Sequence, residues 1–133
     1  MPGAPIQSSG PVPSPTIRAA ILGVLEQLLA VGVTDSDHRV RKAVLTLLLR
    51  EPRLDPYLSQ NDTIQSLLVA LNDEHPEIRE IVICLLGRLC TLNPAFILPS
   101  LRRTLILVRQ DVRVELFCVI RILVHCTKQC STL

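Results

Sequence analysis

Two stretches of the sequence decide the fold: VTDSDHRVRKAVLTLLLR at Val33–Arg50 and LNDEHPEIREIVICLLGR at Leu71–Arg88. Shifting the first by 38 residues places it on the second without a gap. The matched pairs are Asp35 with Asp73, Val40 with Ile78, Arg41 with Arg79, Ala43 with Ile81, Val44 with Val82, Leu47 with Leu85, Leu48 with Leu86, and Arg50 with Arg88. An internal repeat of this length indicates stacked supersecondary units.

The apolar residues within each copy recur three and four positions apart, which is the spacing of an amphipathic helix. A period of about 40 residues with two helices per period is typical of HEAT or armadillo units, and two helices favour HEAT. We therefore predict an all-α fold, an α-solenoid of about three antiparallel helix pairs. A third, imperfect copy begins at Asp111, with Glu115 where the first copy has Ala43.

Six helices are predicted from the periodicity and the helix-breaking residues. They span about Ile17–Val31, His38–Arg50, Thr63–Leu71, Pro76–Leu89, Ala95–Val108 and Val112–Cys126. Thr16 is the expected N-cap of the first helix, and Gly32 is expected to end it. Residues 1–16 are rich in proline, serine and glycine and are expected to form a disordered lead-in. Residues 17–126 form the predicted array, and residues 127–133 a C-terminal tail.

The repeated aspartate and arginine have a predicted structural role as a ladder between layers. The aspartate precedes the second helix of each pair and can cap it, and the arginine lies early in that helix. The predicted ladder consists of Asp35, Arg41, Asp73, Arg79 and Arg113. The predicted core between the layers includes Leu47, Leu48, Leu68, Leu85, Leu86 and Leu101.

The composition and motifs favour a binding protein over an enzyme. Aromatic residues make up 2% of the chain and the net charge is +2, so we expect no nucleic-acid partner. No phosphate-binding loop or kinase signature occurs, and the five cysteines lack paired zinc-ligand spacing. We predict no catalytic residue, no cofactor and no metal.

The location follows from the same features. The proline-rich start lacks the basic and apolar regions of a secretory signal, and no stretch reaches the roughly 18 uninterrupted apolar residues needed to span a membrane. We expect no membrane insertion, and reduced cysteines in the cytoplasm or nucleus. An array without polar caps at its ends is also expected to self-associate.

Several stretches resemble the N-terminal HEAT array of target-of-rapamycin kinases. They are Val31–Arg41, Leu67–Asp73, Glu77–Glu80 and Gly87–Arg102, the last containing Asn-Pro-Ala-Phe. The resemblance covers residues 17–107, and the residues after Val108 depart from the pattern. It implies a segment of a very large serine/threonine-protein kinase of the phosphatidylinositol-kinase-related group.

The resemblance also implies function and partners. In these kinases the HEAT array organises a dimer and docks adaptor subunits such as raptor, so we expect a scaffold segment in nutrient and growth signalling. Its partners would be neighbouring HEAT repeats and raptor-type adaptors, in the cytoplasm, the nucleus or at endomembranes such as the lysosome. We expect a fragment without the kinase domain. The alternative is an independent HEAT or armadillo-like adaptor that binds a peptide, although the absence of tryptophan disfavours an armadillo groove.

Overall fold

The computed structural model describes residues 11–107, which form helices and connecting turns with no strand in that range. The helices are α1 Pro15–Thr34, α2 His38–Arg50, α3 Asp55–Leu58, α4 Asn61–Ala70, α5 Pro76–Cys90 and α6 Pro94–Leu107, with a 3-10 turn at Pro52–Leu54. The all-α prediction is confirmed. The predicted sixth helix, Val112–Cys126, lies outside the described residues.

The helices stack as layers. In the first layer α1 packs against α2, and in the second α4 packs against α5. Between the layers α1 contacts α4 and α2 contacts α5, while α6 begins a third layer against α4 and α5. The two helices of a layer are joined by turns of a few residues, which makes them antiparallel neighbours. The two sequence copies therefore contain the second helices, α2 and α5, of two stacked helix pairs.

Helix α1 begins earlier and ends later than predicted. The Ser14 hydroxyl, rather than Thr16, caps its start by accepting the Ile17 backbone N–H at 3.3 Å, and Pro15 occupies the first turn. Gly32 does not end the helix but lies buried within it. A Cβ at Gly32 would lie 3.0 Å from a methyl group of Val44, so this glycine allows α1 and α2 to approach closely.

The chain between the two layers contains structure that the periodicity did not predict. The 3-10 turn and α3 each have a proline in their first turn, which tolerates the missing backbone N–H. Leu58 of α3 is fully buried, and α3 contacts α1. The connector is therefore part of the core that joins the layers.

The core runs without interruption through both layers into α6. Five predicted core leucines lie in it, namely Leu48, Leu68, Leu85, Leu86 and Leu101. The prediction for Leu47 was wrong, because 54% of this residue is exposed. Leu47 lies on the side of α2 that no other described helix covers.

Helix α1 is long and apolar enough to cross a membrane by length and composition, with a mean hydropathy of 1.6. Its buried residues Leu25, Leu29 and Gly32 pack within the helical layers. Only 17% of the apolar window is buried, because one side of α1 is uncovered. The same composition thus fits a helix at the end of a stack.

Candidate functional site: the joint between the layers

The turns before α2 and α5 have the same hydrogen-bonded geometry. The Asp35 carboxylate accepts the Asp37 N–H at 2.8 Å, and the Asp73 carboxylate accepts the His75 N–H at 3.0 Å. An aspartate that bonds the backbone two residues on forms a compact turn. Each repeat therefore enters its second helix through the same aspartate-stabilised turn.

An arginine early in each second helix holds the turn from the other side. Arg41 donates to the Asp35 carbonyl at 2.6 Å, and Arg79 donates to the Asp73 carbonyl at 2.9 Å and to the Glu74 carbonyl at 3.3 Å. Arg79 is 4% exposed, so its guanidinium belongs to the interior of the joint. The fifth predicted ladder residue, Arg113, lies outside the described residues.

Arg41 also joins the two layers. Its guanidinium donates to both carboxylate oxygens of Asp73, at 2.8 and 3.2 Å. The Arg41 side chain is 12% exposed and the Asp73 side chain 6%. A bidentate pair with this little solvent fixes the register of one layer on the next, because the planar fork of arginine matches a carboxylate in one orientation.

Protonation of Asp73 responds to this environment. Burial alone would raise its pKa, but hydrogen bonds from Arg41 and from the His75 backbone outweigh burial and lower the pKa below the ordinary 3.8. The interaction with Asp73 in turn raises the pKa of Arg41. Both partners are therefore charged near neutral pH.

The two histidines of the turns stack on each other across the layers. The rings of His38 and His75 are parallel within 4°, with centroids 4.1 Å apart. The His75 Nδ1 atom lies 3.4 Å from the Asp73 carboxylate, and 40% of the His75 side chain is exposed. The two rings thus pack together at the edge of the joint.

A second arginine, which the sequence did not assign to a site, ties the other end of the layers together. Arg88 donates to the Leu49 carbonyl at 2.5 Å and to the Leu48 carbonyl at 3.2 Å, at the C-terminal end of α2. It also pairs with the carboxylate of Asp55 in the connector, at 2.7 and 2.9 Å. Arg88 thus satisfies helix-end carbonyls and an acidic group together.

One signal in the sequence pointed to Arg88, and another to Asn93. Arg88 is the repeat equivalent of Arg50, but Asp55 has no equivalent inside the repeat, so its pairing could not be predicted. The Asn93 side chain donates to the Ser59 carbonyl at 2.8 Å and to the Asn61 side chain at 2.9 Å. These contacts tie the start of α6 to the connector between the layers.

The charged groups of the joint have partners within the chain. The buried charges are already paired with each other or with backbone carbonyls, so they hold layers together. Within residues 11–107, no group of three metal-ligating side chains comes together. Cys90 is buried, and burial raises the pKa of its thiol, whereas Cys84 is exposed. The site is therefore an intramolecular joint between two stacked helix pairs.

Comparison with known proteins shows which family the chain is similar to. No family model matches the chain. It is 45% identical over 98 residues to the serine/threonine-protein kinase tor1 of Schizosaccharomyces pombe, covering 74% of this chain and 4% of that protein. It is 47% identical over 83 residues to the kinase TOR of Oryza sativa subsp. japonica, covering 62% of this chain and 3% of that protein. The mTor kinase of Drosophila melanogaster is 38% identical over 100 residues, 75% of this chain and 4% of that protein.

These matches confirm the resemblance that the sequence suggested. Over the matched residues the chain belongs, as a segment, to the target-of-rapamycin family of serine/threonine-protein kinases. The chain spans only a few per cent of the length of these relatives.

Proposed function

We propose that this chain is a scaffold segment of a target-of-rapamycin kinase and has no catalytic role of its own. The observation that carries the proposal is the bidentate pair between Arg41 and Asp73, which locks two helix pairs in one register. A rigid stack of helix pairs presents long surfaces to other proteins. The similarity to three kinases that share this segment supports the same assignment.

The partners follow from the proposed scaffold role. They are the neighbouring HEAT repeats of the kinase and an adaptor subunit of the raptor type, met in the cytoplasm or at an endomembrane surface. Phosphate transfer belongs to another part of the kinase, because the buried charges of this segment hold the joint together. Isolated from its neighbours, the chain is expected to self-associate through its exposed apolar residues.

A chimera tests the scaffold role. The 98 matched residues of the fission yeast tor1 kinase are replaced by the corresponding residues of this chain. We expect the chimeric kinase to accumulate, to co-purify its adaptor subunit and to phosphorylate substrate at close to the parental level. A well-folded chimera that loses its adaptor and its activity would overturn the proposal.

A matched variant makes the result specific. The chimera with Leu85→Asp places a carboxylate in the core between the layers, where Leu85 is fully buried. This variant should accumulate to a lower level in the cell and should bind less of the adaptor subunit.

A second experiment tests the non-catalytic assignment. The purified chain alone, incubated with ATP and a generic substrate, should transfer no phosphate. Transfer that survives removal of contaminants would contradict the assignment.

A further inference from the structure

A groove runs between the first helices of the two layers, α1 and α4. Leu25 and Leu29 form its floor and are each 4% exposed, and the half-buried Leu22 lies beside them. The other side of the groove is polar and consists of Gln60, Asp62, Thr63 and Ser66. The volume of the groove, about 280 Å³, is below the ~300–1,000 Å³ of small-molecule sites, so it fits side chains of a protein partner better than a cofactor.

Two carboxylates at the rim of the groove have no partner in the described part of the chain. Glu26 of α1 and Asp62 of α4 are exposed, and neither side chain forms a hydrogen bond or an ion pair with a described residue. The hydroxyls of Thr63 and Ser66, by contrast, donate to backbone carbonyls at 3.5 and 3.4 Å. None of the described arginines and lysines lines the groove. An apolar floor beside unbalanced negative charge favours a cationic group on an apolar stem.

The side of α1 next to the groove carries small residues. Ala19, Gly23 and Ala30 are exposed, and we call them the small face. Together with Glu26 they are spaced four, three and four positions apart, which places them on one side of the helix. Gly32, which packs against α2, is nine positions after Gly23 and thus about half a turn away. The small face is therefore turned away from α2.

Gly23 has no packing role among the described residues. A Cβ at this position would meet no atom within 4 Å, whereas one at Gly32 would lie 3.0 Å from a methyl group of Val44. Glycine weakens a helix interior relative to alanine, so the folding of α1 alone does not favour it here. It does allow another helix to approach closely, because the distance between two helix axes depends on the side chains at the contact.

The α4 side of the groove continues this surface with an exposed apolar residue. Asp62, Ser66 and Val69 are four and three positions apart and share one side of α4. Since Asp62 and Ser66 line the groove, Val69 lies along the same side about one turn further on, and it is 65% exposed. The two helices thus present a shallow channel with the small face on one flank, Val69 on the other, and two carboxylates at its rim.

We propose that this groove binds an amphipathic helix of another protein that carries arginine or lysine beside its apolar side. The apolar side chains of that helix pack on the small face of α1 and on Val69. Its cations reach Glu26 and Asp62, while their apolar stems cover Leu22. Charge complementarity selects such a helix over an acidic one. The inference rests on the proposed scaffold function, and it gives that function a defined surface and a partner of defined chemistry.

A peptide of defined composition tests the groove in the full chain. The probe is a fluorescein-labelled helical peptide of about 18 residues, or about five turns, with leucine at the first and fourth positions of each heptad and arginine beside them. A matched peptide has glutamate in place of each arginine. We expect fluorescence anisotropy to show saturable one-to-one binding of the arginine peptide. The glutamate peptide should bind at least about tenfold more weakly, because its charge repels the rim of the groove.

Charge variants locate the binding of the arginine peptide. Glu26→Gln should weaken it about threefold, as expected for the loss of an exposed ion pair. The matched control is Glu80→Gln on α5, which removes the same charge from an exposed position outside the groove and should change binding less than about 1.5-fold. Combining Glu26→Lys with Asp62→Lys should invert the preference, so that the chain binds the glutamate peptide more tightly than the arginine peptide.

Gly23→Leu tests the shape of the groove without changing its charge. The added side chain extends into open space in the free chain, and leucine favours a helix, so the melting temperature should not fall. The same side chain should weaken binding of the arginine peptide at least about tenfold, because it keeps the partner helix away from α1. The control is Ala43→Leu, which adds an exposed leucine on α2 and should bind within about twofold of the unchanged chain.

The outcomes separate this helix from other occupants of the groove. Equal binding of the two peptides, equal effects of Glu26→Gln and Glu80→Gln, or unchanged binding by Gly23→Leu would each overturn the proposal. A dimer that Gly23→Leu disrupts and the arginine peptide does not displace would assign the groove to a second copy. Flotation with phosphatidylcholine vesicles that Gly23→Leu abolishes would assign it to lipid; both results overturn the proposal. A working chimera with peptide binding that ignores the groove variants removes this inference alone, whereas groove-specific binding with a failed chimera removes the scaffold function alone.

Discussion

The first and second layers carry the same repeat but place its residues in different surroundings. Leu47 and Leu85 are 38 positions apart and occupy the same place in their helices, yet 54% of Leu47 is exposed and Leu85 is fully buried. Leu85 packs against the layer before it, and no described layer covers Leu47. The comparison teaches that a repeat pattern identifies the side of a helix that can be buried, while the neighbouring layer determines whether it is.

The same contrast applies to surface charge. Arg39 and Lys42 of α2 match Glu77 and Glu80 of α5, so the exposed side of the second helix changes from basic to acidic between layers. Lys42 and Glu77 form an ion pair at 2.6 Å across the layers. With side-chain exposures of 48% and 71%, this pair contributes little to stability. The buried pairs set the register, and the exposed charges distinguish the layers from each other.

The largest expected effect separates the two leucines. Leu85→Asp should lower the free energy of unfolding by more than about 4 kcal/mol, because it buries an unpaired charge and leaves a cavity. Leu47→Asp should change it by about 0.5 kcal/mol or less, as expected at an exposed site. Urea unfolding followed by circular dichroism measures both, and comparable losses in the two variants would contradict the assigned register.

The arginine pair should give the next largest difference. Arg88→Ala leaves the carboxylate of Asp55 and two helix-end carbonyls without their donor, at a cost of about 2–3 kcal/mol. Arg50→Ala removes the equivalent side chain from an exposed position and should cost about 0.5 kcal/mol or less in the isolated chain. Melting temperatures of the two variants, with Arg53→Ala as an exposed-arginine control, test this prediction.

The two turn aspartates should differ by about 1.5–2 kcal/mol. Asp73→Asn keeps the acceptor for the His75 N–H but removes the charge that pairs with Arg41, which costs about 2 kcal/mol. Asp35→Asn should cost about 0.5 kcal/mol or less, because its carboxylate forms no ion pair within residues 11–107. Chemical unfolding at pH 7 measures the difference.

The pH dependence of the unfolding free energy tests the same ion pair between Arg41 and Asp73. The pKa of Asp73 is lowered in the folded chain, so its contribution is present above the ordinary value of 3.8 and is lost as the pH falls through the folded pKa. The unfolding free energy should decline more steeply below pH 4 in the unchanged chain than in Asp73→Asn. If the unfolding free energies of the two proteins fell in parallel with pH, the Asp73 carboxylate would contribute nothing to the pH dependence of stability.

The smallest effect concerns helix packing inside the first layer. Gly32 matches Ala70 of the second layer, and its added Cβ would press on Val44, whose branched side chain is stiff in a helix. Gly32→Ala should destabilise the chain by about 1 kcal/mol, since crowding exceeds the gain in helix propensity. Gly23→Ala in the same helix meets no atom within 4 Å and should stabilise it by about 0.5–1 kcal/mol. Thermal unfolding would contradict the packing if both changes stabilised the chain.

Much of the fold could be predicted from local pattern. The bounds of α2 were predicted correctly, because Asp37 precedes it and Glu51-Pro52 follows it, and both signals act through the backbone. Gly32 misled the prediction of the end of α1, since glycine also serves where two helices approach closely. The connector helix α3 was missed because four residues are too few to show a helical period.

Part of the candidate site could likewise be predicted from the sequence, and part could not. The repeat placed Asp35, Arg41, Asp73 and Arg79 in equivalent turns, and the structure brings Arg41 and Asp73 together across the layers. The contact between Arg88 and Asp55 spans 33 residues and joins a repeated position to a unique connector. A single sequence holds no signal for such a pair, because burial and distance arise only when the layers stack.

The sequence by itself determined the helical period, the length of the repeat and the residues that begin each second helix, because these depend on contacts within a few residues of each other. The tertiary structure alone decided that Leu85 is buried while Leu47 is exposed, that Gly32 lies inside a helix, and that Arg88 reaches Asp55. The physical reason is that removal from water depends on which helix stands next to a side chain, and neighbours distant in sequence are set by the stacking of layers.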